Sequence, residues 1–73
     1  AMHIAPKRDD AVYNAANTYL YMNNLQAAEA HYKKALSLNS KNVNANLNLG
    51  ITYSRSKKFD QAYLFIKKAY ELE

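Results

Sequence analysis

Cysteine is missing from the 73 residues, and glycine and proline occur once each. Without thiols there is no disulfide framework, no cysteine zinc finger and no thiol nucleophile, and the redox compartment is left open. Long apolar runs are missing too. The longest, Ala62 to Ile66, lies between Asp60 and Lys67 and falls far short of the roughly 18 residues a membrane span requires. A soluble chain is therefore expected, placed in the cytoplasm by preference. Ala1, Met2 and His3 have neither the basic start nor the apolar stretch of a signal peptide. With Pro6, which disfavours helix before it, residues 1–8 read as an extended lead-in or an expression remnant.

What the chain does have is 49% hydrophobic residues and 10 Lys plus Arg against 6 Asp plus Glu, a net charge of +4. This length allows one small unit, and a unit of this size buries only about 60% of the surface it exposes when unfolded. Its core is expected to be marginal without local reinforcement.

Sliding the sequence against itself by 34 places pairs residues 9–39 with 43–73. The identical pairs are Ala11/Ala45, Asn14/Asn48, Thr18/Thr52, Tyr19/Tyr53, Ala28/Ala62, Lys33/Lys67, Lys34/Lys68, Ala35/Ala69 and Leu38/Leu72. Apolar positions also exchange like for like, as in Leu25/Phe59 and Tyr32/Ile66. Within each copy the apolar residues recur at spacings of three and four, the helical period. The breaks predict helices at 9–22, 25–38, 43–56 and 59–72. Asn23 suits a left-handed helix end, and Asn24 or Asp60 can accept from free amides where the next helix begins. Ala16 opposite Ala28, and Gly50 opposite Ala62, would let two helix backbones approach. Tyr19, Leu25 and Tyr32, with Tyr53, Phe59 and Ile66, are expected to fill the space around them.

These residues resemble the tetratricopeptide repeat, whose pattern runs Trp, two residues, Leu-Gly, two residues, Tyr, then Ala, three residues, Phe, and a final Pro. In the second copy Leu49-Gly50, Tyr53, Ala62, Ile66 and Ala69 stand in register; in the first, Ala15-Ala16, Tyr19, Ala28, Tyr32 and Ala35 do. Val12 and Asn46 stand where the family has a large aromatic, Lys57 where it has the turn glycine, and Ser40 where it has the proline. Each departure implies a looser repeat. The resemblance implies an all-α fold: a right-handed α-solenoid of two helix-turn-helix repeats, four antiparallel helices, with repeat 1 at 9–42 and a truncated, uncapped repeat 2 at 43–73.

It also implies a non-catalytic scaffold for protein-protein interaction, with the first helix of each repeat lining a concave groove that takes a peptide or helix. The positions carried across are Tyr13, Asn14, Asn17, Leu20 and Tyr21, then Leu47, Asn48, Ile51, Ser54 and Arg55. Asn side chains both donate and accept, so Asn14, Asn17 and Asn48 suit a peptide backbone. Tyr13 and Leu47 suit its side chains, and Tyr13→Ala and Asn48→Ala are expected to weaken capture without unfolding the chain. Relatives that grip a terminal carboxylate use a lysine where Tyr13 stands and a third repeat. Two amides alone supply little to repay a carboxylate's desolvation.

The alternative is self-association, as a symmetric dimer or by helix exchange, through Tyr63, Leu64, Phe65, Ile66, Tyr70 and Leu72, which leave the last helix few polar positions. A third reading, nucleic-acid or acidic-surface contact, rests on Lys7-Arg8, Lys33-Lys34, Lys57-Lys58 and Lys67-Lys68; these are scattered rather than gathered along one groove. Catalysis finds no support, because His31 and the serines lack a paired base or nucleophile and Asp9-Asp10 suit the positive end of a helix. No cofactor and no metal site is expected.

Overall fold

The computed structural model describes residues 8–72. Four helices follow one another: α1 (Arg8–Tyr21), α2 (Leu25–Leu38), α3 (Val43–Arg55) and α4 (Phe59–Leu72). Each lies within one residue of its sequence-predicted bounds. Of the lead-in expected over 1–8, residues 1–7, Pro6 among them, lie outside the described residues, and Arg8 already belongs to α1. Helices α1 and α2 pack as one hairpin, α3 and α4 as a second, and α3 also lies against α2 and touches α1.

The two hairpin turns are built alike. Asn23 takes the left-handed conformation at φ 60°, and Lys57, 34 residues on, does so at φ 64°. In each, two amides fold back on the ended helix: Asn23 N–H to Leu20 O and Asn24 N–H to Tyr19 O, then Lys57 N–H to Ser54 O and Lys58 N–H to Tyr53 O. Asn tolerates this backbone, whereas Lys bears a cost of roughly 1–2 kcal/mol there. Lys57→Gly removes that strain but gives the unfolded chain more freedom, a net gain of about 0.5–1 kcal/mol. Thermal unfolding should accordingly shift up by about 4 °C; a lower midpoint would show that Lys57 has another role.

Helix starts are capped unevenly. Asn24 accepts from Ala27 N–H at 3.4 Å, and Asn42, a cap not expected from the sequence, accepts from Ala45 N–H at 3.0 Å. Asp60 does not cap: it lies inside the first turn of α4, where its charge favours the helix dipole. Asp9 does more than meet the dipole of α1. It is buried, and its Oδ2 accepts from Asn39 Nδ2 at 3.3 Å and Asn42 Nδ2 at 3.1 Å. Those bonds tie the start of α1 to the link between hairpins. Asn46 Nδ2 adds bonds to Ser40 O at 3.2 Å and Asn42 O at 3.0 Å. Polar ties thus hold the link where a proline would have stiffened it.

The core runs through both hairpins: Ala16, Ala28, Tyr32, Ala35, Ala45, Leu49, Tyr53 and Ala62 are buried. At the α3–α4 crossing a Cβ on Gly50 would lie 2.5 Å from Ile66 Cγ1, 3.1 Å from Ala62 O and 3.2 Å from Ile66 N. Gly50 therefore marks a close backbone approach within a continuous helix. Phe59 departs from expectation. It sits in the first turn of α4 and is 64% exposed, while its counterpart Leu25 is half-buried. Phe65 instead supplies the aromatic, stacking on Tyr53 at 5.6 Å between centroids.

Between α2 and α3, Tyr53 OH donates to Glu29 at 3.3 Å, and Lys33 and Lys58 approach the same carboxylate at 3.0 and 3.9 Å. Burial raises the Glu29 pKa, but the bonds and charges of Lys33, Lys58 and Tyr53 outweigh it and hold the carboxyl below its ordinary range. The same hydrogen bond to Glu29 raises Lys33. This cluster joins α2 to α3 and to the turn before α4.

Candidate functional site

Apart from that cluster, a cleft of about 490 Å³ is lined by Asn17, Leu20, Tyr21, Asn48 and Arg55. All five belong to the ten concave positions named from sequence. They come from the last turns of α1 and from the middle and last turn of α3, and the contact between those helices brings them together. The other five lie around it differently. Asn14 and Ser54 are exposed, and Ile51 and Tyr13 are half-buried. Leu47 lines a separate depression of about 210 Å³ with Val43, Ala69 and Tyr70.

Hydrogen bonding at the cleft is largely internal. Tyr32 OH donates to Asn17 Oδ1, and Asn48 Nδ2 donates to the same oxygen at 3.0 Å and to Tyr13 OH at 3.2 Å. Burial pushes the Tyr32 hydroxyl up to about 12, so it remains a donor at neutral pH. The chain links α2, α1 and α3 and fixes both amides. Asn17 Oδ1 has both lone pairs engaged and Asn48 Nδ2 both hydrogens. Reversing Asn17 alone sets donor against donor, and reversing Asn48 alone sets acceptor against acceptor; reversing both still leaves one donor and one acceptor unengaged.

Two expectations change as a result. Half of the hydrogen-bonding capacity assigned to Asn17 and Asn48 is already used within the protein. Tyr13 is no free groove residue, since its ring packs on the core and meets the Tyr32 ring at 6.0 Å between centroids. Tyr13→Ala would therefore weaken the fold as well as the groove, and Tyr13→Phe is the cleaner probe.

Among the described residues, Arg55 is the only charged one that lines the cleft. Its Nη1 donates to Leu20 O at 3.3 Å, placing a cation at the negative end of α1 and bridging the two hairpins. Among the described residues no lysine lines this surface. Lys33 and Lys58 face the Tyr53 ring, and Lys67 lies over Tyr63. His31 is engaged as well, its Nδ1 meeting Ala27 O at 2.8 Å and its ring lying 4.9 Å from Tyr19.

The six residues of the last helix divide. Tyr63, Leu64 and Tyr70 are exposed, while Phe65, Ile66 and Leu72 are half-buried, with Phe65 and Ile66 turned into the α3–α4 pair. Tyr63, Ile66, Lys67, Tyr70 and Glu71 border a shallow depression of about 340 Å³. Among the described residues, no helix is long and apolar enough to cross a membrane.

Comparison with known proteins gives two family matches: a TPR repeat over residues 16–57 and a tetratricopeptide repeat over 43–73. The search of curated proteins returns no match. Together the matches run from Ala16 through both hairpin turns to the end of α4, following the same stacked helix pairs that form the cleft. The chain belongs to the tetratricopeptide repeat family, helical modules that generally mediate protein-protein interaction.

Proposed function

We propose that the cleft between α1 and α3 binds an extended peptide segment carrying an acidic side chain. One observation carries this reading: two fixed amides, Asn17 and Asn48, meet in a cleft with one donor and one acceptor unengaged by the described residues. That pair complements the carbonyl and N–H of a peptide unit. Tyr21, almost fully exposed, and Leu20 offer apolar contact beside it. Arg55, with donors beyond the one given to Leu20 O, supplies the charge, and among the described residues no acidic one lines the cleft beside it. Network residues are held before a partner arrives, so little ordering opposes binding.

An array of short extended peptides with and without Asp or Glu tests the proposal. Acidic peptides should bind more tightly, and Arg55→Gln should weaken them by about tenfold, the loss of roughly one charge-assisted hydrogen bond. Neutral peptides should be unaffected by that change, while Asn48→Leu should weaken both sets and leave the helical signal intact. Equal binding of both sets by Arg55→Gln and by the parent chain, or amide shifts confined to the outer faces of α2 and α4, would refute the reading.

A further inference from the structure

The join between the hairpins can be compared, residue by residue, with the two ends of the molecule. On α3, Ala45, Leu49 and Thr52 fall at i, i+4 and i+7 and are fully buried. Their repeat counterparts on α1 are Ala11 and Thr18, both exposed, and Ala15, half-buried. Each set belongs to a helix paired with its own hairpin partner; α3 differs in also lying against α2. The preceding hairpin therefore accounts for the difference, and α1 presents bare the stripe that α3 buries.

The other end shows the complementary half. On α2, Tyr32 is fully buried while Glu29 and Leu36 are half-buried, beside α3. Their counterparts on α4 are Ile66, half-buried, Tyr63, 64% exposed, and Tyr70, 72% exposed. Tyr70 borders two depressions at once, one with Tyr63 and Ile66 and one with Val43 and Leu47. The bare surface thus runs from α4 onto α3, as the join does from α2 onto α1.

The aromatic chemistry matches. Tyr53 uses two neighbours, its ring stacked on Phe65 of α4 and its hydroxyl bound to Glu29 of α2, with Lys33 over the ring. Among the described residues, Tyr19 has only the first kind of partner, His31 of α2. Lys67, the counterpart of Lys33, lies over Tyr63 within its own helix.

We infer that the chain self-associates head to tail, α1 of one copy docking on α4 of the next through the contact that α3 makes on α2. The contact is heterologous, so association continues beyond two copies instead of closing as a symmetric pair. In the docked state Thr18 and Ala11 are buried against the Tyr63–Tyr70 stripe, and Lys67 moves over Tyr19 of the neighbour. This surface is separate from the peptide cleft and stands or falls independently of it.

Two exposed positions block one end each: Thr18→Arg on α1 and Tyr70→Lys on α4. Sedimentation of the full chain from about 10 µM to about 1 mM covers the affinities expected of a small interface. The parent chain's average mass should rise steadily with concentration, beyond two chains at the top of the range. Each variant alone should stay at one chain with unchanged helical circular dichroism, its association weakened at least about tenfold. An equimolar mixture of the two variants should form a dimer and nothing larger, because one intact α4 meets one intact α1. A parent chain monomeric throughout would overturn the inference. So would a Thr18→Arg variant that still associates as the parent does, since pairing would then be α4 on α4, and so would a mixture that stays monomeric.

Discussion

Gly50→Leu should abolish cooperative folding of the second hairpin. The Cβ alone would already stand 3.1 Å from Ala62 O and 3.2 Å from Ile66 N, and backbone atoms of α4 give way only if the helix shifts. The remaining leucine carbons have no room. A helix moved outward gives up the burial of Ala62 and the stacking of Phe65 on Tyr53 together. Such overpacking costs about 3 kcal/mol or more. A chain of this length has only about 4–10 kcal/mol in all, so the midpoint of thermal unfolding should fall by at least about 15 °C. Gly50→Ala is the informative control. It gains up to about 1 kcal/mol in helix propensity, and Ile66 Cγ1, 2.5 Å from the new Cβ, belongs to a side chain that can turn aside. The two backbone contacts remain, and a small net loss of about 1 kcal/mol is expected. A leucine variant melting like the parent would show that α3 and α4 are not in contact at this point.

The second large effect is expected at Asn46, which stands where the family carries its large aromatic. It is fully buried, its Nδ2 donates to Ser40 O and Asn42 O, and its Oδ1 meets no partner among the described residues. Asn46→Asp keeps the shape but replaces two donated bonds by a carboxylate facing two carbonyls. An uncompensated buried charge costs about 3–5 kcal/mol, enough to leave a large unfolded fraction near neutral pH. Asn46→Leu loses the same two bonds, about 1 kcal/mol each, but also removes the orphaned oxygen, whose burial costs about 1–3 kcal/mol. These nearly cancel. Urea unfolding should therefore place the leucine variant near the parent and the aspartate variant far below it. The reverse order would mean that Asn46 faces water.

Which parts of this arrangement show in the sequence follows from what each depends on. Helix bounds rest on local signals such as Asn23, Asn24 and the spacing of apolar residues, and they emerge within one residue. The close crossings rest on small residues at repeat-equivalent places, and Ala16, Ala28, Gly50 and Ala62 are all buried. Matching by 34 places fails where equivalent residues have unequal neighbours. Phe59, the repeat counterpart of Leu25, is exposed; Phe65, the counterpart of His31, packs against the core. The ends of the stack are not equivalent, and no local pattern records that.

The cleft was half legible for a related reason. Helical spacing places Asn17, Leu20, Tyr21, Asn48 and Arg55 on the right helices, but it cannot show that Asn48 reaches Asn17 and Tyr13 across 31 and 35 residues of sequence. The network is a property of how α3 meets α1. Nor does the charge of Asp9 foretell its burial, which depends on two asparagines 30 and 33 residues away.

Nuclear Overhauser contacts of the Asn48 side-chain amide bear most directly on the stacked hairpins. If α3 lies against α1 as described, those protons give cross-peaks to the ring protons of Tyr13, because Asn48 Nδ2 sits 3.2 Å from its hydroxyl oxygen. Cross-peaks from Asn48 to residues of α3 alone, with none to α1, would mean two hairpins that do not stack and a cleft that does not form.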